Sequence, residues 1–450
     1  MTNWKKLSLN LKNPDAGMAT PRRNPKRKAN SDTNYTADID QDRLLEESLK
    51  PLTEEERASW PGWIELESEP SFFNIMLQDL GIKDVKTHEL FSLDDESLAL
   101  LPQPIYGLIF LFQYSASDDV VREKEESKDV WFANQTSVNA CATVALLNII
   151  MNHKTLNIGP QLDAFYKETL PIEPPLRGYK LSEYSFIRAI HNKFARRMDH
   201  LLSDASLQEE STKRKAPKFR RKTPLLGMKR KGSRKKTNMQ YAYHFVAYVP
   251  VGDAVYELDG LKTSPLKLGQ FTPSVPWTSI ARPQIQARML EHEESEHSFN
   301  LLSLCSNTSL ETLRAKVCET LASVSLASGY IKQNAKDIDL TNEPVELHDF
   351  EKLADFKLTK DDIDISVQQL STKSNDLEEA TTPDDSYIHW LHLVENSTAA
   401  MASYRQEVLD AVQDQHRVSN RQKDYGFALH KWLSILADKG VLEGLVESSS

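Results

Sequence analysis

Hydrophobic and polar positions divide this chain into stretches of different kinds. Residues 1–56 show no sustained apolar period, which predicts a disordered arm. Residues 140–152 are apolar almost all round (Val144, Ala145, Leu146, Leu147, Ile149, Ile150, Met151), and that predicts a buried helix. Residues 241–250, Tyr-Ala-Tyr-His-Phe-Val-Ala-Tyr-Val-Pro, are aromatic and β-branched and predict a strand ending at the proline. Period two puts Ala242, His244, Val246 and Tyr248 on one of its faces. A second short strand is expected over 254–258, closed by an Asp259-Gly260 turn. Beyond that, Leu310, Leu313, Val317, Leu321 and Val324 recur near helical spacing. A long helix over 387–418 and a second over 425–439, ended by Gly440, follow from the pattern further on.

Between about 197 and 240 the apolar pattern lapses. A gap that long inside a compact domain is expected to be functional or disordered. The organisation that results is an arm at 1–56, a folded domain at 57–306 interrupted by the insertion 197–240, a helix at 307–329, a polar linker at 330–384 and a helical tail at 385–450. Helices and strands alternating around a buried helix predict an α/β or α+β domain. There is no internal repeat.

Charge sharpens the reading of the insertion. The chain carries a net −10, yet residues 213–236 hold thirteen Lys and Arg and no acid, which leaves −23 for the rest. A second basic cluster, Arg22-Arg-Asn-Pro-Lys-Arg-Lys28, sits in the N-terminal arm. Like-charge blocks repel themselves and often engage nucleic acid or import receptors, although a solvated loop without a partner has the same composition. Three cysteines, Cys141, Cys305 and Cys318, form no paired spacing and argue for a reducing compartment. The pairs His292/His297 and His389/His392 are not spaced for a metal, so neither metal nor cofactor is expected. No apolar run of 18 residues exists and the N-terminus is polar, which speaks against a membrane span or a secretory signal.

Four residues carry candidate chemistry in the order Gln135, Cys141, His244, Asp259. A thiolate attacks a carbonyl well only if a base or a positive field keeps it ionised and a third group orients that base. Asn139 reads as a helix N-cap, which would place Cys141 in the first turn, where the helix dipole favours a negative sulfur. Gln135 lies where an amide could help to hold an oxyanion. Each residue has a plainer reading alone: a small buried cysteine, a loop glutamine, a hydrogen-bonded strand histidine, a turn aspartate. Their joint presence in this order suggests a cysteine hydrolase.

These residues resemble the ubiquitin carboxyl-terminal hydrolases. That family carries a glutamine, then Asn-x-Cys with a small residue and threonine, then a strand histidine followed fifteen residues later by the aspartate of a Leu-Asp-Gly turn. Here the matching residues are Gln135, Asn139-Ala-Cys141-Ala-Thr143, His244 and Leu258-Asp259-Gly260. The resemblance runs over roughly 57–306. Trp63 to Pro70 with Phe72, Phe73 and Leu80-Gly81 looks like the family's opening strand and first helix. Tyr106 to Phe112 looks like its central strand, Ile190 to Arg196 like the helix before its active-site crossover loop, and Phe299 to Leu302 like its last core strand. In the tail, Arg421 to Phe427, Trp432 to Ala437 and Gly440 to Leu442 resemble the C-terminal extension of the longer members, which work on proteasomes and chromatin. Ala142, where short members often have glycine, also favours the longer branch.

The resemblance implies a papain-like sandwich with a backbone knot. It implies hydrolysis of amide or isopeptide bonds after the terminal glycine of ubiquitin, with Cys141 as nucleophile, His244 as general base and acid, Asp259 orienting the histidine and Gln135 stabilising the oxyanion. It also implies ubiquitin and ubiquitinated proteins as partners and an adaptor protein on the tail, in the nucleus and cytoplasm. The basic residues 213–236 suggest nucleosomal DNA as a further partner. Two alternatives stay open on the residues: a non-catalytic ubiquitin-binding scaffold in a proteasome or chromatin complex, and a thiol protease or transferase of another specificity.

Overall fold

The computed structural model describes residues 41–114, 129–204, 242–294, 298–334, 357–371 and 383–448, with a few single positions between 340 and 354. The chain divides into two units, 1–47 and 48–450. Of the first, only the start of helix α1 (Gln41–Leu49) is described.

The second unit runs α2 (Glu54–Ser59), α3 (Pro70–Leu80), β1 (Val85–Glu89), α4 (Asp95–Ala99), β2 (Ile105–Tyr114), α5 (Cys141–Ile150), α6 (Gly159–Thr169), α7 (Pro174–Glu183) and α8 (Ser185–Asn192). Then come β3 (Ala242–Val251), β4 (Ala254–Leu258), β5 (Leu266–Gln270), α9 (Trp277–Glu294) and β6 (Phe299–Ser306). A helical extension follows: α10 (Leu310–Asn334), α11 (Lys360–Ser371), α12 (Pro383–Arg421), α13 (Gly426–Asp438) and α14 (Val441–Ser448).

The strands form one sheet in the order β1-β6-β2-β3-β4-β5, and every neighbouring pair is antiparallel. This decides between the two expected classes in favour of α+β. Helices still separate most successive strands along the chain, but no parallel crossover joins them, and they cover the faces of an antiparallel sheet. Both faces are covered, so β2 and β3 are apolar at nearly every position. Ile109, Phe245, Ala247 and Val249 pack on one side with α3, α5 and α8. Leu108, Phe110, Phe112, Val246 and Tyr248 pack on the other with Ala281 and Ile285 of α9. The period-two reading of β3 is visible in that division.

Several local expectations need correction. The strand β3 does not stop at Pro250. It runs on to Val251, because Pro250 faces Val255 in the β3–β4 hairpin and Val251 pairs with Ala254. Of the stretch 63–70, expected as an opening strand, 63–69 is irregular, with backbone carbonyls and N–H groups bonded to side chains, and Pro70 already opens α3. The arm expected to be disordered to residue 56 contains α1 and the start of α2, and a capping box between Thr53 and Glu56 opens α2. The insertion expected from 197 begins later, because 197–204 is helical; residues 205–241, which hold the thirteen basic residues, lie outside the described residues. The linker expected at 330–384 contains α11, whose Ile363 is buried together with Leu353 and Leu358 against Val317, Leu321 and Met401. Few but well-spaced apolar residues, not overall hydropathy, recruit it.

Candidate active site

Helix α5 places the nucleophile candidate. Cys141 is its first residue, and ten successive buried positions, Cys141 to Ile150, fix the helix in the core. The cap differs from the expectation: the N-cap is Ala140, and no side chain caps the helix. Asn139 instead adopts a left-handed conformation (φ 65°), which asparagine tolerates, and its amide donates to the Trp63 carbonyl at 3.2 Å. First-turn amides not capped by a side chain, together with the positive end of the helix, favour negative charge at the sulfur and beside it.

Two asparagines of this otherwise apolar stretch strap the segment that carries Gln135. Asn148 accepts from the Ala133 N–H at 2.8 Å and donates back to the Ala133 carbonyl at 3.3 Å. One turn on, Asn152 does the same to Trp131, both bonds at 2.8 Å. Arg177 of α7 donates to the Phe132 carbonyl at 3.3 Å. Gly178, beside it, lies so close that a Cβ there would sit 1.9 Å from the Asn134 carbonyl oxygen. The segment is therefore set against α5 and α7 without belonging to the sheet.

His244 near the start of β3 and Asp259 just past β4 meet at 2.7 Å between Nε2 and Oδ1, and each is only 3% exposed. Nε2 must donate to the carboxylate, so the histidine's hydrogen bond with the Cys141 sulfur falls to Nδ1. Burial pushes the imidazole's pKa down, but the hydrogen bonds and charges of Asp259 and Cys141 outweigh it and raise it to about 9. Burial pushes the Asp259 carboxyl up, and the hydrogen bond and charge of His244 bring it below its ordinary value, helped by the Leu261 N–H at 3.0 Å and by the charge of Arg288. Phe112 supports the ring edge-on, with centroids 6.0 Å apart.

Gln135 joins this group through its backbone. Its N–H donates to the Gly260 carbonyl at 2.8 Å, and a Cβ on Gly260 would come within 3.2 Å of the Gln135 Cβ and N. The side-chain amide donates to the Ser137 carbonyl at 3.1 Å, which leaves the second hydrogen of Nε2 for another acceptor. Of the four residues read from the sequence, Cys141, His244 and Asp259 are thus linked through their side chains, and Gln135 is tied by its backbone to the turn that carries Asp259.

The supports were not read from the sequence: Asn134, Asn148, Asn152, Gly178 and His191. His191 of α8 is fully buried, accepts from the Thr143 hydroxyl at 2.7 Å and donates to the Ile64 carbonyl at 2.8 Å, which fixes its neutral tautomer. Burial lowers its pKa to about 4, partly countered by the Ile64 bond. The one signal available for the straps was polar spacing, two asparagines four apart in an apolar helix.

Comparisons with known proteins place the chain in a family. The model of the family described as ubiquitin carboxyl-terminal hydrolase, family 1, matches residues 63–290. Ubiquitin carboxyl-terminal hydrolase ubh-4 of Caenorhabditis elegans is 34% identical over 247 residues, 54% of this chain and 67% of that protein. Ubiquitin carboxyl-terminal hydrolase 2 of Schizosaccharomyces pombe is 34% identical over 249 residues, 54% of this chain and 72% of that protein. Among solved structures, the Trichinella spiralis UCH37 catalytic domain bound to ubiquitin vinyl methyl ester is 31% identical and covers 56% of this chain and 98% of that one, with a TM-score of 0.42. With the matched segment spanning half the chain, from Trp63 beside the nucleophile loop to α9 beneath the histidine–aspartate pair, this chain belongs to the ubiquitin carboxyl-terminal hydrolase family.

Proposed function

We infer that this chain is a thiol-dependent ubiquitin hydrolase that cuts the amide or isopeptide bond following the terminal glycine of ubiquitin. The observation that carries the reading is the buried 2.7 Å pair of His244 and Asp259 beside a cysteine that opens a helix. In this reading His244 takes the Cys141 thiol proton, so that the sulfur attacks as its conjugate base. The sulfur attacks the glycyl carbonyl, and the carbonyl electrons move to oxygen, where the Gln135 amide and first-turn N–H groups of α5 receive them. Collapse of the tetrahedral species breaks the C–N bond, and His244 delivers its proton to the leaving amine. Water, deprotonated by the now neutral imidazole, then cleaves the thioester. Asp259 holds the ring orientation throughout.

The tail supports an adaptor partner. On and beside α13, Tyr425, Phe427, Trp432 and Leu433 are 43–64% exposed, apolar groups that a short helix does not keep in water without cost. For the basic insertion the sequence alone speaks: its charge suits phosphate contacts with nucleosomal DNA and residence in nucleus as well as cytoplasm. No described helix is long and apolar enough to cross a membrane.

A ubiquitin suicide probe tests the central claim. It should label the protein at Cys141 and fail on Cys141→Ala, while that variant still binds ubiquitin. An unlabelled native protein that binds ubiquitin would leave the scaffold reading in its place. Loss of co-purifying partners on deletion of 385–450, and salt-dependent mobility shifts of DNA lost when the basic residues 229–236 become glutamine, test the two partner claims.

A further inference from the structure

The catalytic groups stand on separate pieces of chain. Cys141 is on α5, Gln135 is on the strapped segment before it, and Asp259 is on the turn after β4. The straps described above hold Gln135 to α5 and α7, but none of them reaches the aspartate turn. That turn is closed by the Lys262 N–H donating to the Asp259 carbonyl at 2.9 Å, and the Asp259 side chain accepts from the Leu261 N–H within it. Its outward carbonyls, Gly260 and Lys262, face the Gln135 segment. Both are met by one side chain: Asn134 Nδ2 donates to the Lys262 carbonyl at 2.6 Å and to the Gly260 carbonyl at 3.2 Å. The Gln135 N–H shares the Gly260 oxygen. The backbone of Asn134 is held in turn by its N–H donating to the Pro174 carbonyl at 3.2 Å and by its own carbonyl lying against Gly178.

We propose that Asn134 is a positioning residue that locks the Asp259–Lys262 turn to the Gln135 segment, so that the imidazole-orienting carboxylate and the oxyanion donor keep one fixed spacing across the Cys141 sulfur. The inference rests on the proposed hydrolase reading. The physical reason is leverage. A side chain with two hydrogens on one nitrogen can cross-link two backbone carbonyls of a turn that lies beyond the paired residues of β4 and β5, whereas the single Gln135 N–H bond would act as a hinge. Misplacing a catalytic group by about 1 Å costs on the order of a hundredfold in rate. Asn134 touches neither substrate nor sulfur in this scheme and acts through Gln135 and Asp259.

Asn134→Ala should lower kcat on a ubiquitin-linked fluorogenic amide about ten- to a hundredfold with KM nearly unchanged, because ground-state ubiquitin contacts are untouched. A double-mutant cycle separates positioning from a general loss of fold. In the Gln135→Ala and Asp259→Asn backgrounds the further loss on adding Asn134→Ala should shrink to within about threefold, since residues that act as a unit are not additive. Asn134→Ser, smaller than asparagine but still polar, should fold and show the same non-additivity, which covers the case in which the alanine variant is unstable. A native kcat in Asn134→Ala and Asn134→Ser would overturn the inference, as would an equal fold-loss in every background. Failure of the underlying hydrolase reading looks different: there Cys141→Ala or Gln135→Ala would itself leave turnover near normal.

Discussion

His191 and His244 are both buried, and both touch the first turn of α5, His191 through Thr143 and His244 through Cys141. Their charges are nevertheless driven in opposite directions. His191 meets a hydroxyl and a backbone carbonyl, neutral partners that do not offset desolvation, and with the like charge of Arg421 pushing the same way its pKa falls to about 4. His244 meets a carboxylate and a sulfur, and its pKa rises to about 9 in spite of equal burial. Burial penalises charge, and only a charged partner reverses the penalty. One histidine can therefore serve as a fixed brace between α5 and the segment at Ile64, while the other is suited to carry the proton that the proposed mechanism moves.

Replacing the charged partner should break the contrast most severely. In Asp259→Asn, His244 loses the acceptor-only carboxylate that fixes its tautomer, and turnover should fall on the order of 10³–10⁴-fold. Ring-proton NMR on the same variant should show the His244 pKa dropping far below about 9 while His191 stays where it was. A His244 that still titrates near its native value would mean that Cys141 alone sets its charge.

The two histidines should also leave opposite marks on stability. His191 has a folded pKa of about 4, below the unfolded value, so the unfolded chain binds its proton more tightly and stability drops as pH falls from about 6.5 towards 4. The loss should approach about 3 kcal/mol at the acid end. His244 is the reverse: its folded pKa exceeds the unfolded one, so its contribution is present below about 6.5 and is lost as pH rises through about 9. Urea unfolding across pH 4–9 on His191→Gln and His244→Gln should flatten the acid and alkaline limbs respectively. A His191→Gln variant whose acid limb matches the native one would refute the neutral brace.

Gly178→Ala disturbs the segment that carries Asn134 and Gln135, on the side of the site away from His191. The new Cβ would lie 1.9 Å from the Asn134 carbonyl, so the Gln135 segment must shift. We expect about 1–3 kcal/mol of destabilisation and reduced turnover, with the acid limb that belongs to His191 unchanged. The smallest effect is expected from deleting 426–450. The exposed α13 and α14 should contribute no more than about 0.5 kcal/mol to the unfolding of the rest and leave both histidine titrations in place. A larger loss would show that these helices support the catalytic fold.

Part of this was legible in the chain. The apolar run after Cys141, the alternation around His244 and the Asp259-Gly260 turn are local patterns, and local geometry follows from them. The ends of α10 and α12 lie within a few residues of the helices that periodicity predicts. The cap was misread because Asn139 has the chemistry of an N-cap, yet its amide bonds to Trp63, 76 residues away. The linker was misread because Leu358 and Ile363 look sparse in sequence but meet the buried face of α10.

The sequence by itself determined the candidate chemistry, the order of its four residues and the periodicity that builds the elements beneath them. The tertiary structure decided that the sheet is antiparallel, that two asparagines of the nucleophile stretch strap the Gln135 segment, and that the partners of one buried histidine push its pKa down while those of the other push it up. The physical reason is range. Periodicity and turn chemistry act over a few residues, whereas the bonds that place these groups join positions from 15 to 128 residues apart. Which partner lies across such a gap, a carboxylate or a carbonyl, is settled only when the chain has folded.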